Sequence, residues 1–438
     1  MARVSLSSIP HGQPTHQSGL NHRLRGWMTA QLRYLKAEIH TAAAQCQAER
    51  YRKHFTAFAH ACLLVFHGLS RRGSLRQSYA AFPTCRGLVE FSGLGLPDDP
   101  DGGRMNISFS QFADSNTTRP ADFLGLIVPS LIRRVYQEDL ARSAGLPGEL
   151  HIIDSTFLRL SMRLAHWLPG RSGVRVQFQY LPVLDLPEHV WITDSRTNDC
   201  QGLDQCLLDN PARLAELRGQ TLIVDLGYYS HQRFQSLLDA GVHLVTRLHP
   251  QASYQVTTEL PVQGSLFATP NGRIEVLRDQ KITLGSSNNR HGAVLPGLRL
   301  ITARVDPTPK AARRGAKPLI YPLLTDRWDL TADEVVQIYL YRWQIELFFR
   351  WLKSHIRLTH LLGYSHNAVL LSVWLALIIH LLTVLAARHL GMKRRSPALL
   401  DQLPWILAAL TTQDLRSECP TVVQPPFPGW LPSYSGPT

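Results

Sequence analysis

No CxxC pair, no HExxH and no internal repeat occur in this sequence of 438 residues. The six cysteines (Cys46, Cys62, Cys85, Cys200, Cys206 and Cys419) fall at irregular intervals. That argues against zinc ribbons and a disulfide framework and fits a reducing cytoplasm. The nineteen histidines show no paired metal spacing either, so ordinary core and surface positions are expected for them. No GxSxG elbow supports Ser155 as a nucleophile. The N-terminus, "MARVSLSSIPHGQPTHQSG", lacks the apolar stretch of a signal peptide. Acid is in short supply: 33 Asp and Glu stand against 46 Lys and Arg, a formal charge of +13 spread along the chain. Such a balance favours a polyanionic partner, nucleic acid first and an anionic membrane surface second.

Only one apolar run is long enough to span a bilayer: "AVLLSVWLALIIHLLTVLAA", Ala368 to Ala387. His380 lies inside it and Arg388 follows directly. A lone span with an internal histidine makes a poor anchor, so a core helix, apolar on all sides, is expected.

The first twenty or so residues read as unstructured, helical patterns follow in "LRGWMTAQLRYLKAEIHTAAAQ" and "HFTAFAHACLLVFHGL", and "SRRGSLRQSYAAF" can open a further helix. "GLGLPDDPDGGR", Gly93 to Arg104, reads as a loop, and helical spacing returns from Ser108. From Leu150 the chain changes to short runs rich in β-branched residues: "LHIID", "RVQFQYLPVLD", "VWITD", "TLIVDLG" and "VHLVTRL". Short helices, "ARLAELRG" and "HQRFQSLLDAG", flank "TLIVD". This is an α/β pattern with a mixed sheet. Between Ala252 and Thr325, four further strand-like runs alternate with turns.

Asp154 and Asp225 each end an apolar strand run, in "ELHIIDSTF" and "QTLIVDLGYYS". An ionised carboxylate there is costly unless exposed, paired or bound to a cation. The C-terminal ends of strands are also where open α/β sheets carry their sites. A single such aspartate is commonly a turn starter, the reading that also suits Asp194 and Asp199 in "HVWITDSRTND". A third carboxylate, Glu346, lies in "YLYRWQIELFFRWLK". Upstream, "TADE" from Thr331 to Glu334 is a capping box. The spacing therefore predicts one helix from near Ala332, with Tyr339, Arg342, Glu346 and Lys353 along one stripe. By itself such a stripe reads as an amphipathic helix with solvated charges. Joined to the two aspartates, Glu346 completes a trio of hard oxygen donors suited to Mg²⁺. Two such ions about 3.5–4 Å apart would serve phosphodiester chemistry.

These residues resemble the DDE transposases of bacterial insertion sequences, specifically the insertion sequence 4 type. Tyr339, Arg342, Glu346 and Lys353 reproduce the family's Y-(2)-R-(3)-E-(6)-K motif at every spacing, and "IIDST" and "IVDLGYYS" are similar to its two aspartate regions. The resemblance covers roughly Ser108 to Arg388. It implies an RNase H-like catalytic core with a mixed sheet, interrupted by a β-strand-rich insertion before the glutamate and preceded by a helical N-terminal domain. The chain is accordingly divided into 1–105, helical and expected to bind DNA; 106–250, the first part of the core with its helical lead-in; 251–325, the insertion; 326–418, the rest of the core; and 419–438, a Pro-rich tail.

Carried over residue by residue, the resemblance makes Asp154, Asp225 and Glu346 the catalytic, metal-binding triad. Tyr339, Arg342 and Lys353 become DNA contacts or organisers of the helix, as does Arg247 in "VTRLHP". Arg175 stands where the family often has a lysine. Implied with them are two Mg²⁺ ions, with Mn²⁺ able to substitute, and double-stranded DNA as partner, both terminal inverted repeats and target. A homodimer on DNA, no membrane, and a cytoplasmic, nucleoid-associated location complete the expectation. A same-core nuclease that never joins strands, or a DNA-binding repressor derived from a transposase, are the alternatives; the intact triad speaks against the repressor.

Overall fold

The computed structural model describes residues 14–50, 54–70, 73–96, 99, 104–140, 150–160, 173–194, 197–262, 266–269, 272–286, 293–392 and 395–416. The Pro-rich tail expected at 419–438 lies outside them. The chain forms two compact units, Met1–Val135 with His355–Thr438, and Tyr136–Ser354. The division after Ser354 cuts through the segment read from sequence as 326–418.

The Tyr136–Ser354 unit is built on one ten-stranded sheet. Its strands are β1 (Leu150–Arg159), β2 (Gly173–Leu181), β3 (Leu186–Asp194), β4 (Thr221–Val224), β5 (His243–Arg247), β6 (Tyr254–Leu260), β7 (Leu266–Thr269), β8 (Gly272–Leu284), β9 (Leu295–Val305) and β10 (Leu319–Thr325). The order is β3-β2-β1-β4-β5-β10-β9-β8-β6, with β7 paired to β8. β1, β4 and β5 run parallel, whereas β2 and β3 at one side and β10, β9 and β8 at the other pair antiparallel. β4 is buried at every position, which is why it reads as an unbroken apolar run rather than an alternating one. The strands within 251–325 are not a separate layer: Ile282, Leu284, Leu298, Leu300 and Leu324 share a core with Ile153, Leu222, Val224 and Leu244. Into the same core the helix His231–Asp239 sends Phe234 and Leu237.

The capping box is present, Thr331 Oγ1 accepting from the Glu334 N–H and Glu334 reaching back to the Thr331 N–H. The expected single helix is corrected to two, Ala332–Leu340 and Trp343–Ser354. At the joint the Tyr341, Arg342, Gln344 and Ile345 N–H groups bond back to residues three positions earlier. Such bonds tighten the turn and end the regular ladder. No Gly or Pro marks the break in the sequence.

The other unit is helical. Its helix Pro14–Gln45 begins inside the stretch expected to be unstructured. Gly93, left-handed at φ 76°, closes the helix Arg86–Ser92, the usual use of glycine at a helix C-terminus. The apolar run forms the helix His366–His389, capped by Ser365 and buried almost throughout. It packs on Ala57–Ser70, Phe109–Thr118, Asp122–Gly125 and Pro397–Ala408, all in its own unit. Burial pushes the His380 pKa down to about 3, so this histidine sits neutral in the core. A helix already enclosed by protein has no apolar face to offer lipid. Extraction without detergent is therefore expected to release the chain, and retention by membranes after a high-salt wash would contradict this packing.

Candidate active site

β1 and β4 pair in parallel register, with Ile153 opposite Val224. Asp154 and Asp225 are the next residue on each strand, so the two aspartates leave neighbouring strands about 5 Å apart at the backbone. β4 ends there, and Asp225 opens the short turn Leu226–Tyr228, while β1 continues paired only to β2.

The helix Trp343–Ser354 covers this face of the sheet. Phe178, opposite Asp154, meets the rings of Phe348 and Phe349 at 5.3 and 5.5 Å, and Tyr180 stacks on Phe348 at 5.0 Å. Phe348 is fully buried, a contribution on the order of 2–3 kcal/mol to holding the helix in place. Glu346 lies one turn before Phe349 and Arg350, in the first turn of that helix.

Arg342, released by the helix break, links the acids. Its guanidinium donates to Glu346 Oε1 at 2.9 Å and lies 3.9 Å from Asp225 Oδ2. Arg247, on β5, donates to Asp225 Oδ1 at 3.0 Å. Burial opposes ionisation of Asp225, but Arg342, the Leu226 N–H and Arg247 outweigh it and hold the carboxyl below the usual range. Asp154 behaves oppositely. Burial, with Asp199 and Asp225 adding repulsion, pushes its pKa up to about 6, against the lowering effect of the Ser155 N–H and Arg342.

Asp199, which the sequence suggested to be a turn residue, belongs to the same neighbourhood. It begins the short helix Asp199–Leu203, capped by Asn198. Its Oδ1 accepts from Ser155 Oγ at 2.5 Å and is ion-paired with Arg175, which also donates to Ser155 Oγ at 2.8 Å. The helix can come this close to β2 because residue 202 is glycine: a Cβ there would collide with the Gln177 amide. The Asn198–Gln201 capping box in the sequence announces this helix, but nothing announces its proximity to Asp154.

Of the sequence-derived residues, Asp154, Asp225, Glu346, Arg342 and Arg247 are brought together, and Arg175 joins through Asp199 and Ser155. Tyr339 is buried, its hydroxyl pushed up to about 12, with its ring 6.0 Å from the Arg342 guanidinium and 5.8 Å from Tyr321. It therefore braces Arg342 from behind. Lys353 stands two turns along the helix from Glu346, where burial lowers its pKa.

Among the described residues no three acidic, His or Cys side chains close on one another tightly enough to enclose an ion, and Arg342 lies between Asp225 and Glu346. The donor chemistry nevertheless fits a hard divalent cation. All the donors are carboxylates, a guanidinium already stands between two of them, and burial raises the pKa of the third.

Comparison with known proteins agrees with this chemistry. The family model described as a transposase DDE domain matches residues 146–382, more than half of the chain. A protein named as a transposase, y4zB, from Sinorhizobium fredii is 29% identical over 283 residues, 63% of this chain and 70% of that one. The transposase named for insertion sequence element IS5377 of Geobacillus stearothermophilus is 24% identical over 295 residues, 66% of this chain and 70% of its own length. Among solved structures, the piggyBac transposase synaptic complex with hairpin DNA covers 78% of this chain and 73% of its own at 13% identity and a TM-score of 0.38, too low for a shared fold to follow. Transposase DDE domains act on DNA and depend on divalent metal ions. The chain belongs to the transposase DDE-domain family and is a DNA transposase, an enzyme that cleaves DNA and transfers the cut strand.

Proposed function

We propose that the chain is a cut-and-paste transposase of the insertion sequence 4 type, whose Asp154, Asp225 and Glu346 form the catalytic triad. The observation that carries this is the pair of aspartates on adjacent parallel strands, joined to Glu346 through Arg342. The mixed sheet, with further strands between β5 and the glutamate helix, supports an RNase H-like core. The three carboxylates would hold two Mg²⁺ ions, or Mn²⁺ in their place. Bound there, the ions supply activation of the attacking oxygen and stabilisation of the leaving one. Arg342 and Arg247, released from the carboxylates, are positioned to hold the scissile phosphate. Tyr339 fixes Arg342, and Arg175 and Lys353 contact the DNA backbone to either side. The substrates are terminal inverted repeats and target DNA, bound by a homodimer in the cytoplasm at the nucleoid. The helical region 1–105 is assigned to DNA binding.

The test uses a duplex carrying the element's end, read from the flanking DNA, with a supercoiled target plasmid and Mg²⁺. Cleavage exposing a 3′-OH, followed by covalent linkage of that end to the plasmid, is expected. Cutting without any joined product would leave only a nuclease.

A further inference from the structure

The loop between β9 and β10 carries Lys310, Arg313, Arg314 and Lys317, all exposed. From Pro307 to Thr325 the sequence contains no acidic residue. Among the described residues none of the four basic side chains makes an ion pair, whereas nearby Arg304 is neutralised by Asp306 at 2.8 Å. Four unneutralised cations within eight residues repel one another, and nothing in the unit's own packing calls for them.

Strand register fixes where the loop emerges. β4 and β5 are parallel, and Asp225 stands at the C-terminal end of β4. β10 runs antiparallel to β5, with Leu323 opposite Arg247, the residue that touches Asp225. The start of β10, Leu319 opposite Val305, therefore projects beyond the same end of the sheet that bears the carboxylates. From Leu323 back to Leu319 is roughly 13 Å at about 3.3 Å per residue, and the basic loop lies further out. Along one strand of duplex DNA, phosphates recur about every 3.4 Å. A duplex whose phosphate lies at Asp225 thus presents backbone at the loop about four or more nucleotides away.

We propose that Lys310, Arg313, Arg314 and Lys317 form a second, sequence-independent contact with the phosphate backbone of the duplex being cut, about four or more nucleotides from the scissile phosphate. The proposal rests on the catalytic reading above. The partner is double-stranded DNA because four exposed cations spread over eight residues, Lys310 on the short helix Pro309–Ala312 and the others just after it, suit a repeating backbone charge.

The test compares wild type with the fourfold Lys/Arg→Ala variant by fluorescence anisotropy across a salt series, without divalent ions. Two labelled duplexes are used, one carrying the element's end and one scrambled. Each phosphate contact contributes about 0.9 to the slope of log K against log[salt], so the variant, which removes four, is expected to lose about 3.6 from the slope on both duplexes. Trimming the duplex to about three base pairs on each side of the cleavage site should erase the difference, and a fourfold Lys/Arg→Glu variant should bind more weakly still. An unchanged slope, or a loss confined to the element's end, would overturn the proposal. Because the loop is remote from the carboxylates, the alanine variant should still cut at saturating protein. If Asp154→Asn also cut, the catalytic reading would fail, whatever the slopes.

Discussion

Replacing either aspartate with asparagine is expected to reduce strand cleavage by at least about 10³-fold, since each change removes a charged donor that no neighbour can replace. The two variants should part company in stability. Asp154 is a buried carboxyl whose pKa is raised to about 6 from 3.8. At about pH 8 without metal its ionised form costs roughly 1–3 kcal/mol. Asp154→Asn removes that cost, so the metal-free protein should gain stability. Asp225 instead pairs with Arg247 at 3.0 Å and lies 3.9 Å from Arg342, so Asp225→Asn leaves Arg247 without its counter-charge and Arg342 with Glu346 alone, and should lose stability. Urea melts in EDTA beside a Mg²⁺ cleavage time course measure both effects. Substantial cutting by either variant, or stability changes of the same sign, would disprove this account of the pair.

The benefit of a divalent ion is expected to fall steeply below about pH 6. Without metal, the folded pKa of Asp154 lies above its unfolded value, so the folded state holds the extra proton between about 4 and 6. This group's contribution to stability therefore declines as pH rises through that window. A metal ion needs the deprotonated form and reverses the trend. Apparent Mn²⁺ affinity, read as the rise in melting temperature, should be fully developed above about pH 7 and drop about tenfold per unit below 6. Asp154→Asn should show little metal-induced rise at any pH. Equal stabilisation at about pH 5 and 8 would mean that Asp154 is not a ligand.

Both aspartates were legible because a carboxylate ending an apolar strand run demands an explanation. Glu346 was legible through the spacing around it. The parallel pairing that sets Ile153 beside Val224 was not, since β1 and β4 are separated by some seventy residues and alternation within a strand carries no information about its neighbour. Asp199 was missed for the same reason: its proximity depends on Gly202 passing over Gln177, a contact between distant segments. The break at Tyr341–Arg342 left no trace either, because the residues there are all acceptable in a helix. Propensity does not account for it, and the Arg342–Glu346 pair, at i,i+4 spacing, would suit an unbroken helix equally well. The continuity of β8, β9 and β10 with the central sheet was likewise hidden, because strand runs reveal their own period but not the edge they join.

The break at Arg342 also sets the field that an incoming polyanion meets. Around Asp154, Asp199, Asp225 and Glu346 stand Arg175, Arg247 and Arg342, so four acids face three permanent cations and the cluster carries a formal charge near −1. A phosphodiester approaching such a surface meets almost no net repulsion, although a bare group of carboxylates would exclude it by several kT. On the proposed catalytic reading, duplex is therefore expected to bind over this cluster in EDTA as well as in Mg²⁺, which end binding under both conditions would measure.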